Sequence, residues 1–163
     1  MGEPLGFEVW YREMHPRLAA AVLALCRDPH LSSEVADEAF SRALERWPRV
    51  SEMSSPEAWV YRTAVNHLRR RAHRSQLERR LLRRTPLHSA DEYRGRDLDL
   101  LAAIAELPDR QRLAVVLHYV ADLSINDTAE VMAVKPGTVL ATVHAARANL
   151  LKSLGPTEQE AAP

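Results

Sequence analysis

The sequence predicts an all-α protein with two small helical domains joined by a flexible linker. Apolar residues recur every three or four positions along most of the chain, and no stretch shows the two-residue alternation of a half-buried strand. Prolines and capping serines divide this pattern into separate helices. Basic residues cluster before an irregular segment and thin out after it, which favours two domains over one.

The first helix is predicted from Phe7 to Arg27, where the Asp28-Pro29 pair ends it. Its apolar side holds Phe7, Trp10, Met14, Leu18, Val22 and Leu25. A second helix, capped by Ser32 or Ser33, is predicted to stop at Pro48. Its inward side holds Ala36, Ala39, Phe40, Ala43, Leu44 and Trp47, and its outer side holds Glu34, Asp37, Glu38, Arg42, Glu45 and Arg46.

A third helix is predicted to start after the loop Val50–Ser54, because Ser55 can cap it and Pro56 suits its first position. At 100° per residue, one side packs through Val60, Tyr61, Ala64, Val65 and Leu68. The other side, called the cationic face below, holds Trp59, Arg62, Asn66, Arg69, Arg70 and His73. The helix is expected to fray by about Arg84.

Charge separates the two halves of this chain, whose formal net charge is zero. Arg69–Arg84 contains eight arginines and one acid, whereas Leu98–Gly155 contains five basic and six acidic residues. A nucleic-acid partner is therefore expected for the first half. We expect domains at 1–84 and 98–155, a linker at 85–97 through Pro86 and Gly95, and a tail at 156–163.

The second half is predicted to contain four helices. The first covers Leu98–Leu107, and after Pro108 the next turns Leu113, Val116, Leu117 and Val120 inward. Ser124 and Asp127 resemble a capping box that opens a helix to Met132. Pro136 opens the last helix, to about Leu154, and the short turn Ala133–Lys135 makes this pair a helix-turn-helix.

Nothing in the sequence indicates an enzyme, a cofactor or a metal site. Cys26 is the only cysteine, which excludes an internal disulfide, and its apolar helical setting is typical of a core residue. His67 and His73 lie six residues apart, on different sides of a helix. Without a signal pattern or an apolar run of about 20 residues, the protein is expected to be cytoplasmic and without a membrane segment.

Three stretches resemble one known family. SSEVADEAFSRALERW has acids before a phenylalanine and an arginine-containing end, and SPEAWVYRTAVNHLRRRAHR has Trp-x-Tyr-Arg, an asparagine and a basic run. The segment from Leu107 begins Leu-Pro-x-Arg-Gln-Arg and has Gly-Thr-Val at its last helix. In this order they resemble the extracytoplasmic-function type of bacterial sigma factor, from about Phe7 to Leu154. The resemblance implies a promoter-specific transcription initiation subunit, with a region 2-like and a region 4-like domain.

The resemblance also implies roles for individual residues. The second helix would bind the clamp of core RNA polymerase through Glu34, Asp37, Glu38, Phe40, Arg42 and Arg46, with Asp37 standing where glutamine is usual. On the cationic face, Arg62, Arg69, Arg70 and His73 would hold promoter DNA, Trp59 would stack at the melted edge, and Asn66 would bond a base. The loop Ser51–Ser54 would form a pocket for one flipped base.

Blander interpretations remain open at the same residues. An arginine-rich helix is often only a solvated surface. Trp59 is as well explained by packing within its own domain. The charges of the second helix are also those of ordinary pairs four residues apart, each worth about 0.2–0.5 kcal/mol.

The last helix departs from the family, which commonly has Lys, Ser, Arg and Arg where this chain has Leu140, Ala141, Thr142 and Ala145. Its packed side is Val139, Val143, Ala146 and Leu150. The remaining candidates for DNA contact are Lys135, Thr138, His144 and Arg147. An exposed patch of Leu140, Ala141 and Ala145 is more typical of a protein partner, such as an anti-sigma factor or another regulatory protein.

Two functions therefore stay open. The chain is either a sigma factor that directs core polymerase to promoters, or a sigma-like accessory protein with weakened promoter recognition of its own. Both bind RNA polymerase, and run-off transcription separates them.

Overall fold

The computed structural model describes residues 6–82 and 96–155, without the side chains of 76–98. The helices are α1 Phe7–Cys26, α2 Pro29–Glu45, α3 Trp47–Val50, α4 Pro56–Leu82, α5 Arg96–Glu106, α6 Asp109–Val115, α7 Ile125–Met132 and α8 Pro136–Leu154. The described residues form no strand, which confirms the all-α prediction. The predicted linker lies outside the described residues from position 85 to position 95, and α5 begins at Arg96. The predicted tail, 156–163, also lies outside them.

The first three long helices pack into one bundle. α1, α2 and α4 contact one another through buried apolar side chains, among them Leu18, Val35 and Tyr61. Trp10 of α1 is buried in this bundle, and its indole nitrogen donates to Glu57 Oε1 of α4 at 3.3 Å. The predicted apolar sides of α1 and α4 are therefore the buried ones.

The start of α2 differs from the prediction. The helix begins at Pro29, and the side chain of Asp28 accepts a hydrogen bond from the Leu31 backbone N–H at 3.0 Å. Aspartate is as good a cap as serine, and proline at the first helical position needs no donor partner. Ser32, one of the two serines expected to cap, is instead buried and donates to the Pro29 carbonyl.

The end of α2 corrects two further predictions. Leu44, expected to face inward, is 56% exposed. Trp47 does pack against the apolar cluster, but from the separate short helix α3. α2 ends at Glu45 and Arg46 leaves helical geometry, with φ −116° and ψ 16°, so the spacing expected from a continuous helix to Pro48 no longer applies.

In the second half, α6 continues as a π-helical segment, Val116–Val120, in which the Ala121 N–H donates to the Val116 carbonyl five residues back. Val120, expected to face inward, is 39% exposed, while Ala121 is buried. A π-helix has more residues per turn than an α-helix, so the inward position moves on by one residue. α5, α6 and α7 each contact α8, and α6 also contacts α5 and α7. These four helices form the second bundle.

The two bundles also contact each other. α1 packs against the π-helical segment and α4 packs against α7. The Arg17 Nη2 atom donates to the Ala121 carbonyl at 3.3 Å and lies 4.0 Å from an Asp122 carboxylate oxygen. Buried side chains from both halves belong to one continuous apolar cluster. No helix in the described ranges is both long and apolar enough to cross a membrane.

Candidate nucleic-acid interface

The cationic face of α4 is exposed along most of its length. Arg62, Asn66, Arg69, Arg70 and His73 are all exposed, whereas the opposite side of the helix is buried. Ser55 fixes the helix start, as predicted, because its hydroxyl accepts a hydrogen bond from the Ala58 N–H at 3.1 Å. Four groups that carry or can acquire a positive charge thus lie on one side of a rigid element, an arrangement suited to binding phosphate.

Trp59 lies at the edge of this face and is only half-buried, packed in part against the apolar cluster. Its backbone carbonyl accepts a hydrogen bond from the Thr63 hydroxyl at 2.9 Å. Packing within its own domain is therefore real, and the remaining exposed area is what a stacked base would use.

Arg62 is held by the other bundle. Its Nη1 atom lies 3.9 Å from Glu130 Oε1 on α7, and the two side chains are 52% and 59% exposed. The helix-turn-helix thus contacts α4, and one of these contacts is with Arg62 on the cationic face. Sequence patterns do not predict this contact, since the two residues are distant along the chain.

The turn before α4 is compact. The Met53 N–H donates to the Val50 carbonyl at 3.1 Å, and the Ser51 hydroxyl lies 3.4 Å from the Pro48 carbonyl. Ser54 is exposed and Met53 is half-buried. The loop Ser51–Ser54 therefore lies directly beside the first turn of α4, and its role in holding a base stays a prediction.

Three acids of α2 are paired within the protein. Glu34 accepts from Arg71 of α4 at 3.1 Å, Glu38 accepts from Arg42 at 2.7 Å, and Asp37 lies 2.8 Å from the His15 ring. The pair of Glu38 and Arg42 is one of the ordinary ion pairs four residues apart that the alternative interpretation of this helix predicts. The exposed Arg46 caps the helix end. An open groove beside them is lined by Glu34, Asp37 and Glu38, together with His30, Ser33, Ser41 and His67.

Phe40 does not fit its predicted role as a direct polymerase contact. The side chain is 2% exposed and packs edge-on against Trp10 and Tyr11, with ring centroids 5.2 and 5.1 Å away. Aromatic residues of this size contribute mainly by burial. Phe40 therefore shapes the surface of α2 from within, and the residues beside it carry any contact.

Three titratable groups are shifted by burial. Burial raises the pKa of Tyr61 to about 12, with Arg17 opposing and Glu57 assisting. Burial lowers the pKa of His67 below its usual value, against the opposing pull of Glu38, and its Nε2 atom is buried without a hydrogen-bond partner among the described residues. Burial also raises the pKa of the half-buried Cys26 thiol, which favours the protonated thiol over the reactive thiolate.

The helix-turn-helix forms as predicted. Ser124 accepts a hydrogen bond from the Asp127 N–H at 3.0 Å and opens α7, and Ala133 makes the left-handed turn that ends it. On α8, Val139, Val143 and Ala146 are buried, while Lys135, Thr138, His144 and Arg147 are exposed. Ala141 and Ala145 are exposed beside Leu140, which is 56% exposed.

Sequence reasoning missed several residues that organise these surfaces. Arg71 belongs to the basic run but faces α2, and His15 and Arg17 lie on α1, outside every motif. The basic run in the sequence shows how many arginines are present, but it does not show which of them face solvent and which face α2. Within the described residues, no group of three or more His, Cys, Asp or Glu side chains is arranged to hold a metal.

Both halves of the chain match known protein families. Residues 10–84 match the family described as Sigma-70 region 2, and residues 97–150 match Sigma-70, region 4. The RNA polymerase sigma-E factor of Streptomyces coelicolor is 27% identical over 157 residues, which cover 94% of this chain and 89% of that protein. The sigma-E factor of Streptomyces avermitilis is 27% identical over 156 residues, with 94% and 87% covered.

Two solved structures share the fold. The sigma factor RpoE in complex with the anti-sigma factor NepR from Bartonella quintana superposes with a TM-score of 0.82 at 20% identity, covering 91% of this chain and 96% of that one. CnrH in complex with the cytosolic domain of CnrY gives a TM-score of 0.64 at 20% identity, covering 94% and 90%. At these identities the likeness concerns the fold.

Proposed function

The chain belongs to the sigma-70 family of RNA polymerase sigma factors, and on that premise we propose how its surfaces divide the work of promoter-specific initiation. The cationic face of α4 grips the upstream promoter DNA where the strands separate, α2 docks on the core polymerase clamp, and α8 enters the duplex further upstream. The protein acts by binding alone, in the cytoplasm, and catalyses no reaction itself.

One observation carries the assignment of α4. Arg69 and Arg70 are exposed near the middle of a helix whose opposite side is buried, so the fold itself does not need their charges. Neither forms an ion pair within the described part of the chain, in contrast to Arg71. When exposed arginines bind phosphates, they displace the counterions that are condensed on the DNA. The release of these counterions is the main source of non-specific affinity for DNA.

The test of the α4 assignment is run-off transcription with purified core polymerase on genomic fragments. Arg69→Ala with Arg70→Ala should abolish most of the transcript while the protein still binds core polymerase. Arg12→Ala with Arg27→Ala is the matched control, because these two arginines are exposed on α1 and its C-terminal cap, away from the cationic face. Equal transcript from both double variants would contradict the assignment.

The α2 assignment has its own test. Exchanging the charges of Glu38 and Arg42, as Glu38→Arg with Arg42→Glu, keeps their ion pair four residues apart while inverting the pattern presented to a partner. We expect a normal melting temperature and weakened binding to core polymerase. Full binding by this variant would remove α2 from the polymerase interface.

Matches to both region 2 and region 4 favour a complete sigma factor over the accessory protein. A transcript from core polymerase and this protein alone is the expected result. Core binding without any transcript, restored by a second protein, would instead indicate the accessory role.

A protein regulator is a further part of the proposal. The chain shares the fold of a sigma factor that was solved with an anti-sigma factor bound, and a partner of that class would act by covering the surfaces assigned above. The expected result is a co-purifying protein that, once purified, suppresses the run-off transcript. A captured protein without this effect does not count.

A further inference from the structure

The exposed side of α8 offers few groups that can hydrogen-bond a base. Over its first turns the exposed residues are Pro136, Gly137, Thr138, Leu140, Ala141, His144 and Ala145. The one other hydroxyl there, that of Thr142, donates its proton to the Thr138 carbonyl at 2.7 Å, which leaves it no proton to donate to a base. Arginine and lysine, which recognise guanine, and asparagine and glutamine, which recognise adenine, are absent from these exposed positions of α8.

The neighbouring amide does not replace them. A shallow groove separates the starts of α6 and α8, and Gln111 lines it together with Ala141 and Ala145. The Gln111 side chain, however, accepts a hydrogen bond from the Asn149 amide at 2.8 Å, which joins α6 to the far end of α8. The Gln111 carbonyl oxygen and the Asn149 amide group are therefore engaged within the bundle, and most of the surface that lines the groove is apolar.

From this arrangement we propose that α8 reads its upstream DNA element through thymine methyl groups. The inference rests on the proposed function, in which α8 is the helix that enters the major groove. Thymine alone among the four bases places a methyl group in that groove, and apolar side chains such as alanine contact it. Leu140 and Ala141 are the residues that make this contact, and a thymine-bearing element is the ligand.

Charges around the apolar strip favour DNA over a protein as its occupant. Arg110 at the start of α6, Lys135 just before α8, and Arg147, two turns beyond Leu140 on the same side, are exposed. None of the three forms an ion pair within residues 6–75 and 99–155. The one acid lining the groove, Asp109, is paired with Arg112 at 3.4 Å. The strip of Leu140 and Ala141 is thus flanked by basic side chains, as the major groove of DNA is flanked by phosphates.

Gly137 supplies an independent observation. A Cβ built at this position meets nothing within 4 Å, and the residue has no left-handed backbone angle. Neither packing nor backbone geometry within the fold therefore explains a glycine in the first turn of α8. Its missing side chain leaves the backbone open to close approach from outside, on the side where Thr138 and Ala141 line the groove.

The experiment uses holoenzyme assembled from core polymerase and the full chain. A pool of duplexes randomised upstream of the melted segment is selected for binding, and enriched sequences are remade with uracil in place of thymine. Uracil pairs identically but lacks the methyl group. We expect each critical replacement to weaken binding roughly three- to fivefold, the effect of about one methyl group left in water.

Variants connect this effect to α8. Leu140→Ala should reduce the discrimination between thymine and uracil, whereas Leu151→Ala, the same change at a 71% exposed position late in α8, should leave it unchanged. Gly137→Ala should fold normally and bind the enriched duplex more weakly.

The outcomes separate this proposal from the proposed function. Run-off transcripts together with equal affinity for thymine and uracil duplexes would overturn methyl recognition while leaving the sigma-factor role intact. Transcripts with no enrichment upstream would do the same, and would favour a protein on this strip. Absence of holoenzyme or of any transcript would overturn the proposed function, and the reading by α8 with it.

Discussion

Phe40 shows how a residue can belong to a functional helix and still act through the core. It lies on α2 between the acids and the arginines assigned to polymerase binding, yet it is 2% exposed. Phe40→Ala should lower the free energy of unfolding by about 3–5 kcal/mol, because it leaves a cavity among large aromatic rings. Urea denaturation followed by circular dichroism measures this.

The control for Phe40 lies four residues further along α2. Leu44 is 56% exposed, so Leu44→Ala should change the free energy of unfolding by less than about 0.5 kcal/mol. Comparable losses from the two variants would contradict the exposed position of Leu44. If Phe40→Ala also weakens polymerase binding, the loss should follow the fraction unfolded.

His67 makes a second prediction at this scale, concerning pH. Burial lowers its pKa from the ordinary 6.5, helped by Arg42 and Arg70 and opposed by Glu38 and Glu34. The unfolded chain therefore binds more protons at this site than the folded one, so stability rises with pH through the window below 6.5. This contribution is complete above 6.5 and is lost as the pH falls through 6.5 towards the folded-state pKa.

His67→Gln isolates this contribution. The other six of the seven histidines are common to both proteins, so the difference between their stability curves reports on His67 alone. Unfolding free energies measured between about pH 5 and pH 7.5 should fall less steeply on the acid side for the variant, since it lacks the protonation that penalises the fold. Parallel curves would show that His67 is solvated.

At the scale of the helix, α4 depends on its cap to present the cationic face. Ser55 accepts a hydrogen bond from the Ala58 N–H, so Ser55→Ala should cost about 1 kcal/mol of stability. Ser54→Ala, one residue earlier at an exposed position, is the matched control and should have little effect. Thermal melts measure both, and equal melting temperatures would contradict the capping role.

Local signals in the sequence were enough to predict most helices. The starts of α4, α7 and α8 followed from Ser55, Ser124 and Pro136, because caps and first-turn prolines act over three or four residues. The start of α2 was missed because Asp28 was interpreted as the end of α1, although it also caps the next helix. A local pattern assigns one role to such a residue and does not show that it serves both helices.

The π-helical segment marks a different limit. Val116 and Val120 are four apart, and α-helical periodicity places both inward, but the extra residue in the turn exposes Val120 and buries Ala121. The carbonyl of Ala121 then accepts from Arg17 on α1. The segment also packs against α1, a long-range contact that periodicity within one helix does not contain.

At the scale of the molecule, sequence patterns gave two helical halves but not their contact. The exposed apolar and basic residues of the candidate surfaces were identified from their spacing, since exposure alternates with helical period. The pairing of Arg62 with Glu130 was not, because it joins residues whose helices meet only in three dimensions. The consequence is that part of the cationic face is engaged before any DNA is present.

This engagement predicts an opening step that charge reversal should favour. Arg62 and Glu130 are both more than half exposed, so their pair is worth only about 0–1 kcal/mol and is within reach of a single substitution. Glu130→Arg places two like charges together, and the free protein should then show a larger radius of gyration by small-angle X-ray scattering and bind single-stranded oligonucleotide more tightly.

The control for this step is Glu106→Arg. It makes the same change in net charge at the exposed end of α5, where Glu106 forms no ion pair with the described side chains, and should alter neither quantity. In about 1 M salt the Debye length falls to roughly 3 Å, so the difference in size between the Glu130 and Glu106 variants should shrink. A Glu130→Arg protein as compact as the Glu106→Arg protein at low salt would show that apolar packing between α4 and α7, rather than the ion pair, holds the halves together.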